Sequence, residues 1–124
     1  MIILNREMIL LDKRQEVTEF LQQFKTFQTK KLVFFGNRKI NIDTLTYLGL
    51  TVKDIEENIQ QLTYKNYCSG PEDDRDNPGH KIWEFGVEIS IFKIYIKLSD
   101  DFSFNYAKCI SFHIPKYELE FPLK

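Results

Sequence analysis

Three short runs in the second half of the chain, Lys81–Ile89, Lys93–Leu98 and Ala107–Ile114, alternate apolar and polar residues with a period of two. Side chains of a strand point alternately to its two faces, so this period is that of a half-buried strand. Trp83, Phe85, Val87 and Ile89 share one side of the first run, and Glu84, Gly86 and Glu88 share the other. In the second run, Ile94, Ile96 and Leu98 oppose Lys93, Tyr95 and Lys97. In the third, the alternation sets Ile110, Phe112 and Ile114 against Cys109, Ser111 and His113. Paired as antiparallel neighbours, such strands make one apolar and one polar face. Glu84, Tyr95, Lys97, Ser111 and His113 then stand together on the polar one.

Upstream the period changes to that of a helix. Val17, Phe20, Leu21, Phe24 and Phe27 recur at three- and four-residue steps, with Asp12 and Gln15 spaced as a capping box. Residues 1–11 read as a leader or a short edge strand, too short and too interrupted by Asn5, Arg6 and Glu7 for a membrane span or signal peptide. The run Leu32–Phe35 is expected to be a strand ending in a turn at Gly36-Asn37. A short helix from about Ile42 to Leu48 follows, with Asn41 as N-cap and Gly49 as its stop. Thr51 and Asp54 open another, with Val52, Ile55, Ile59 and Leu62 as its stripe. Tyr64 and Tyr67 lie on a further helical turn, and residues 69–79 form a loop rich in acids and turn residues. Helices gathered before strands predict a single α+β domain over residues 1–124, a three- or four-stranded antiparallel sheet with N-terminal helices packed on one face.

The 17 Lys and Arg nearly balance 18 Asp and Glu, so no bulk field draws the protein to nucleic acid or anionic lipid, and a polyanion must be met by a local patch. Two cysteines, Cys68 and Cys109, are too few for a disulfide framework and lack zinc-ligand spacing; both are expected to be reduced in a cytoplasm. Asp74–Gly79 resembles part of a calcium loop, but Pro78 replaces a ligand and Phe85 the closing glutamate, so neither a metal nor another cofactor is expected. The basic residues Lys30, Lys31, Arg38 and Lys39 around Phe34 and Phe35 read as surface.

Cleaving RNA without a metal needs a base for the 2′-hydroxyl, an acid for the leaving oxygen and cations for the phosphate. Histidine suits either proton-transfer role, which singles out His113; Lys97 supplies charge and Tyr95 positions the substrate. Glu84 is a lesser candidate as base or as a holder of Lys97, and the bland alternative is an ordinary Glu84–Lys97 cross-strand pair. Arg75 and His80 are candidate phosphate contacts from the acidic loop, with Lys93 and Ser111 beside them on the polar face.

From Tyr47 onward, over roughly the last two thirds of the chain, the sequence resembles the motility quorum-sensing regulator (MqsR) family of bacterial toxins. The matching pieces, in order, are Leu48-Gly-Leu50, Leu62–Tyr67, His80–Trp83, Val87 through Tyr95-Ile-Lys-Leu98, and Ile110–His113. The resemblance implies a RelE-like fold and a ribosome-independent endoribonuclease that cuts single-stranded mRNA, held in check by a helix-turn-helix antitoxin. It places the family's Tyr-x-Lys strand on Tyr95 and Lys97, and puts His113 where the family carries a catalytic lysine. The family's Trp-Gln becomes Trp83-Glu84, its Phe-Tyr-Lys helix end becomes Asn66-Tyr67-Cys68, and the basic segment after the tryptophan becomes Phe85–Glu88. A non-catalytic domain that binds a protein on its polar sheet face is the alternative, and a small-molecule-binding domain a weaker third.

Overall fold

The computed structural model describes residues 5–124. Among them the elements run α1 (Arg6–Lys30), β1 (Leu32–Phe34), α2 (Lys39–Leu48), α3 (Val52–Gln60), a 3-10 turn (Tyr64–Asn66), β2 (Tyr67–Asp73), β3 (Lys81–Ile89), β4 (Phe92–Ser99) and β5 (Ala107–His113). The fold is α+β. Its sheet has five strands in the order β1-β5-β4-β3-β2, all antiparallel except β1, which runs parallel to β5. Where three or four strands are expected there are five: the three alternating runs form the centre, the expected Leu32–Phe35 strand is one edge as β1, and β2 is the other.

Residues 6–11 are neither leader nor edge strand but the first turns of α1; Met1–Leu4 lie outside the described residues. Asn5 caps this helix by accepting from Met8 N at 2.9 Å, an earlier cap than Asp12, and Gln15 bonds Glu19 instead of closing a box. The buried stripe of α1 is Val17, Phe20, Leu21 and Phe24, and Phe20 stacks on Trp83 at 4.5 Å between ring centroids. Helix α3 starts where expected, with Thr51 and Asp54 forming a capping box, and buries Ile55 and Ile59, while Val52 stays exposed. These helices cover the face formed by Trp83, Phe85, Ile94, Ile96, Leu98, Cys109 and Phe112. No helix among the described residues is long and apolar enough to cross a membrane.

Helix α2 starts at Lys39, and Asn41 is not its cap. The Asn41 side chain is fully buried, with Nδ2 donating to the carbonyls of Phe35 and Ile110 and Oδ1 accepting from Phe112 N, at 3.0–3.1 Å. Where β1 ends, this amide takes the place of a neighbouring strand's peptide group along β5, and Thr44 Oγ1 extends the substitution by accepting from Ile114 N at 3.1 Å. Gly49 closes α2 with a left-handed φ of 67°.

Two further expectations fail for identifiable reasons. Tyr67 and the segment after it form β2, whose pairing with β3 is interrupted at two places, so no clean alternation betrays it. In β5 the register jumps from Leu98↔Cys109 to Lys97↔Ser111, leaving Ile110 without an opposite residue. That bulge turns Ala107 and Cys109 into the core and Ile110 and Lys108 to the polar side, whereas Ser111 and His113 remain where the period puts them. The residues after Pro115 cross the polar face rather than trailing away. A Cβ on Gly86 would meet Leu119 and Phe121 at 2.7–2.9 Å, Lys93 Nζ lies 5.2 Å from the Phe121 ring, and Leu123 joins the core.

Candidate active site

Strand register builds the site in two rungs across the polar face. Glu84, Lys97 and Ser111 occupy one, and Gly86, Tyr95 and His113 the next. Adjacent strands are ~4.8 Å apart, so each rung is about 10 Å wide. Among the described residues Glu84 and Lys97 form no ion pair despite facing one another, and neither side chain is consumed by the other.

A residue read as plain surface completes the rungs. Arg38, in the turn after β1, donates from Nη1 to Ser111 Oγ at 2.8 Å and to the Ile110 carbonyl at 3.2 Å. Ser111 is buried and serves Arg38 instead of a ligand. The sequence held the local signal, an arginine beside Phe35, but its arrival at this face depends on the pairing of β1 with a strand some 75 residues later.

His113 is 9% exposed, with Nδ1 at 3.0 Å from the Ile114 carbonyl. A carbonyl only accepts, so the neutral ring carries its proton on Nδ1 and leaves Nε2 free to take one. Burial, and beyond it the charges of Arg38, Lys97 and Lys116, lowers its pKa, against the raising effect of the Ile114 carbonyl. The result is an imidazole kept neutral, the state of a base. The Tyr95 ring lies 5.2 Å from it, centroid to centroid. Burial, then the Glu84 carboxylate, pushes the phenol well above its ordinary value, so Tyr95 remains a hydrogen-bond donor. Burial pushes the Cys68 thiol up to about 11, with Glu84 adding to it, so Cys68 is no nucleophile; Cys109 is buried and is also free.

Two adjoining hollows open on this face, sharing Arg38 and Glu84. One, of about 720 Å³, is lined by Lys97, Arg75, Lys108, Ile110 and Phe104, and by the acids Glu72, Asp73, Asp74, Asp76 and Asp101. The other, of about 640 Å³, holds Tyr95, His113 and Cys68 under the segment Pro115–Glu120. Of the expected RNA contacts, Arg75 lines the first hollow, and Lys93 sits against Phe121. His80 lines neither hollow. Its ring nitrogens lie 3.6 and 3.7 Å from Asp100 and Asp101, where it helps hold the β2–β3 turn. Asp101 is the hub there, accepting from Asn77 Nδ2 at 2.8 Å and Lys108 Nζ at 2.6 Å and from Ser103. The Lys108 ammonium, and then Ser103, hold its carboxyl far below the usual range. No three His, Cys, Asp or Glu side chains among the described residues group as metal ligands would. No protein-family model, curated protein or solved structure matches this chain.

Proposed function

We propose that the protein is an endoribonuclease that cuts single-stranded mRNA by metal-free attack of a 2′-hydroxyl, the toxin of a toxin–antitoxin pair acting in the cytoplasm. The observation that carries this reading is the gathering of Lys97, Tyr95 and His113 on two neighbouring rungs, with Arg38 fixed beside them by Ser111. In the proposed reaction Nε2 of neutral His113 takes the 2′-hydroxyl proton as the oxygen attacks phosphorus. The bond from phosphorus to the 5′-oxygen breaks, and that oxygen takes a proton from the Lys97 ammonium or from water in the open hollow. The products are a 2′,3′-cyclic phosphate and a 5′-hydroxyl. Lys97 and Arg38 offset the charge that grows on the phosphoryl oxygens, and Tyr95 donates a hydrogen bond. The MqsR resemblance adds the family's fold, a RelE-like domain, and its partner, a helix-turn-helix antitoxin.

Growth arrest and RNA cleavage test this together. Wild-type protein should arrest growth and cut single-stranded RNA, and His113→Ala should slow cutting by about 10²–10⁴-fold, the usual worth of a positioned base. The combined Lys97→Ala and His113→Ala variant should be harmless at equal abundance with its circular dichroism unchanged. Continued toxicity of that folded variant would remove these residues from the site.

A protein-binding domain without catalysis is the second reading, favoured by the acid-rich wall of the first hollow and by the tail segment over His113. Under that reading wild-type protein leaves RNA intact.

A further inference from the structure

The loop between β4 and β5 carries two phenylalanines with opposite fates. Phe102 turns inward, its ring stacked on Phe27 at 4.5 Å and edge-on to Phe24 at 6.1 Å. Phe104, two residues on, is 69% exposed at the rim of the first hollow, which also holds Lys97 and Arg38. A ring so placed contributes little to the core, since aromatic side chains stabilise a fold by leaving water. It is nonetheless held in place. Asp101, 4% exposed, anchors the loop through Ser103, Lys108 and Asn77; Asn105 takes a left-handed φ of 61° as its amide closes on the Phe102 carbonyl at 3.0 Å. Behind Phe104 lies Tyr106, with centroids 5.9 Å apart and planes within 18°, and the ammonium groups of Lys31 and Lys108 stand 5.7 and 5.9 Å from the Tyr106 ring.

A fixed, exposed aromatic backed by a second ring, at the mouth of a cleft that holds Lys97 and Arg38 among its acids, has the two components that hold single strands: a stacking surface for a base and positive charge for the phosphate beside it. We infer that Phe104 is the platform on which a base of single-stranded RNA stacks, positioning the neighbouring phosphate over Lys97 and Arg38. The inference rests on the ribonuclease reading and adds to it a substrate property: the strand must present an unpaired base at this rim. Phe104 is a positioning residue, since it touches the substrate away from the reacting atoms.

Binding by the full chain carrying His113→Gln, which prevents turnover, measures this directly. The probe is a labelled single-stranded oligoadenylate of about ten nucleotides. Adding Phe104→Ala should weaken binding by about 5- to 150-fold, the range for losing one stacked base, with the melting temperature unchanged. Phe104→Trp should restore binding, and its indole emission should be quenched by RNA; the only native tryptophan, Trp83, is buried. On an abasic oligonucleotide of the same length, the alanine and parent proteins should bind alike. If Phe104→Ala binds oligoadenylate as tightly as its parent, the platform is overturned while the ribonuclease reading stands. An equal loss on the abasic strand also overturns it, since the ring would then act without a base. Failure of the wild-type protein to cut RNA and of the His113→Gln parent to bind it overturns both.

Discussion

Two side chains on β5 or against it show how much can rest on one residue. His113 has its charged form disfavoured in the folded protein, so its pKa lies below the 6.5 of an ordinary histidine. The unfolded chain then binds more protons than the folded one in the window below 6.5, and stability must rise with pH there. The contribution is fully present above that value and lost as pH falls toward and through the folded pKa. Acidification from pH 7 should accordingly lower the melting temperature of wild type more than that of His113→Gln, and identical pH profiles would contradict it. By the same shift, the acid limb of RNA cleavage should lie below pH 6.5. Asn41 is the second case. Asn41→Ala leaves the buried Phe112 amide without its partner and takes one donor each from the Phe35 and Ile110 carbonyls, which keep Arg38 N and Arg38 Nη1; the unpaired amide costs about 1–3 kcal/mol. Urea unfolding should therefore report a loss of about 1–3 kcal/mol, and a change under about 1 kcal/mol would mean that water reaches the strand. Asparagine at a helix start reads locally as a cap, and only the distant strand reveals its other use.

At the level of elements, β3 and β4 were legible because both are central, half-buried strands whose alternation is unbroken. β5 was legible in extent but not fully in phase. Its one warning was Lys108, which an unbroken alternation would put on the apolar face beside Ile110 and Phe112; the bulge at Ile110 resolves that conflict. β2, with its two interruptions and Pro71, carried no comparable period. The polar-face cluster survived these errors because Ser111 and His113 follow the bulge and keep their phase. The tail escaped detection for a different reason: its seat is a missing side chain. Gly86 admits Leu119 and Phe121, and both intruding contacts are the far ends of flexible side chains that can swing aside. Gly86→Ala should thus cost only about 1 kcal/mol, near the low end for overpacking, yet loosen the strap. Limited trypsin digestion after the exposed Lys116 should be about fivefold faster in that variant, because the population of the opened strap rises exponentially with the free energy lost. Unchanged digestion would place the strap's hold elsewhere, at Leu123.

For the molecule as a whole, a formal charge of -1 and a cleft of mixed sign set the terms of any encounter with RNA. Arg38, Arg75 and Lys97 are the cations of the first hollow not tied to Asp101, as Lys108 is. Three phosphates neutralised on a single strand correspond to a slope of about -2 in log affinity against log salt. Measured with the His113→Gln protein, a slope beyond about -4, or six phosphates, would demand a basic surface elsewhere. The parallel pairing of β1 with β5 brings a further consequence, one of time. Arg38 and Asn41 are made early, but the strand that positions Arg38 and satisfies Asn41 is made last. Contacts so distant in sequence close late, because the chain between them must be ordered first. A ribosome making this protein therefore carries a chain with no assembled cleft until β5 has cleared the exit tunnel. A chain truncated before Ala107 lacks Ser111, His113 and the strand that seats Arg38, and so has none of this face's geometry.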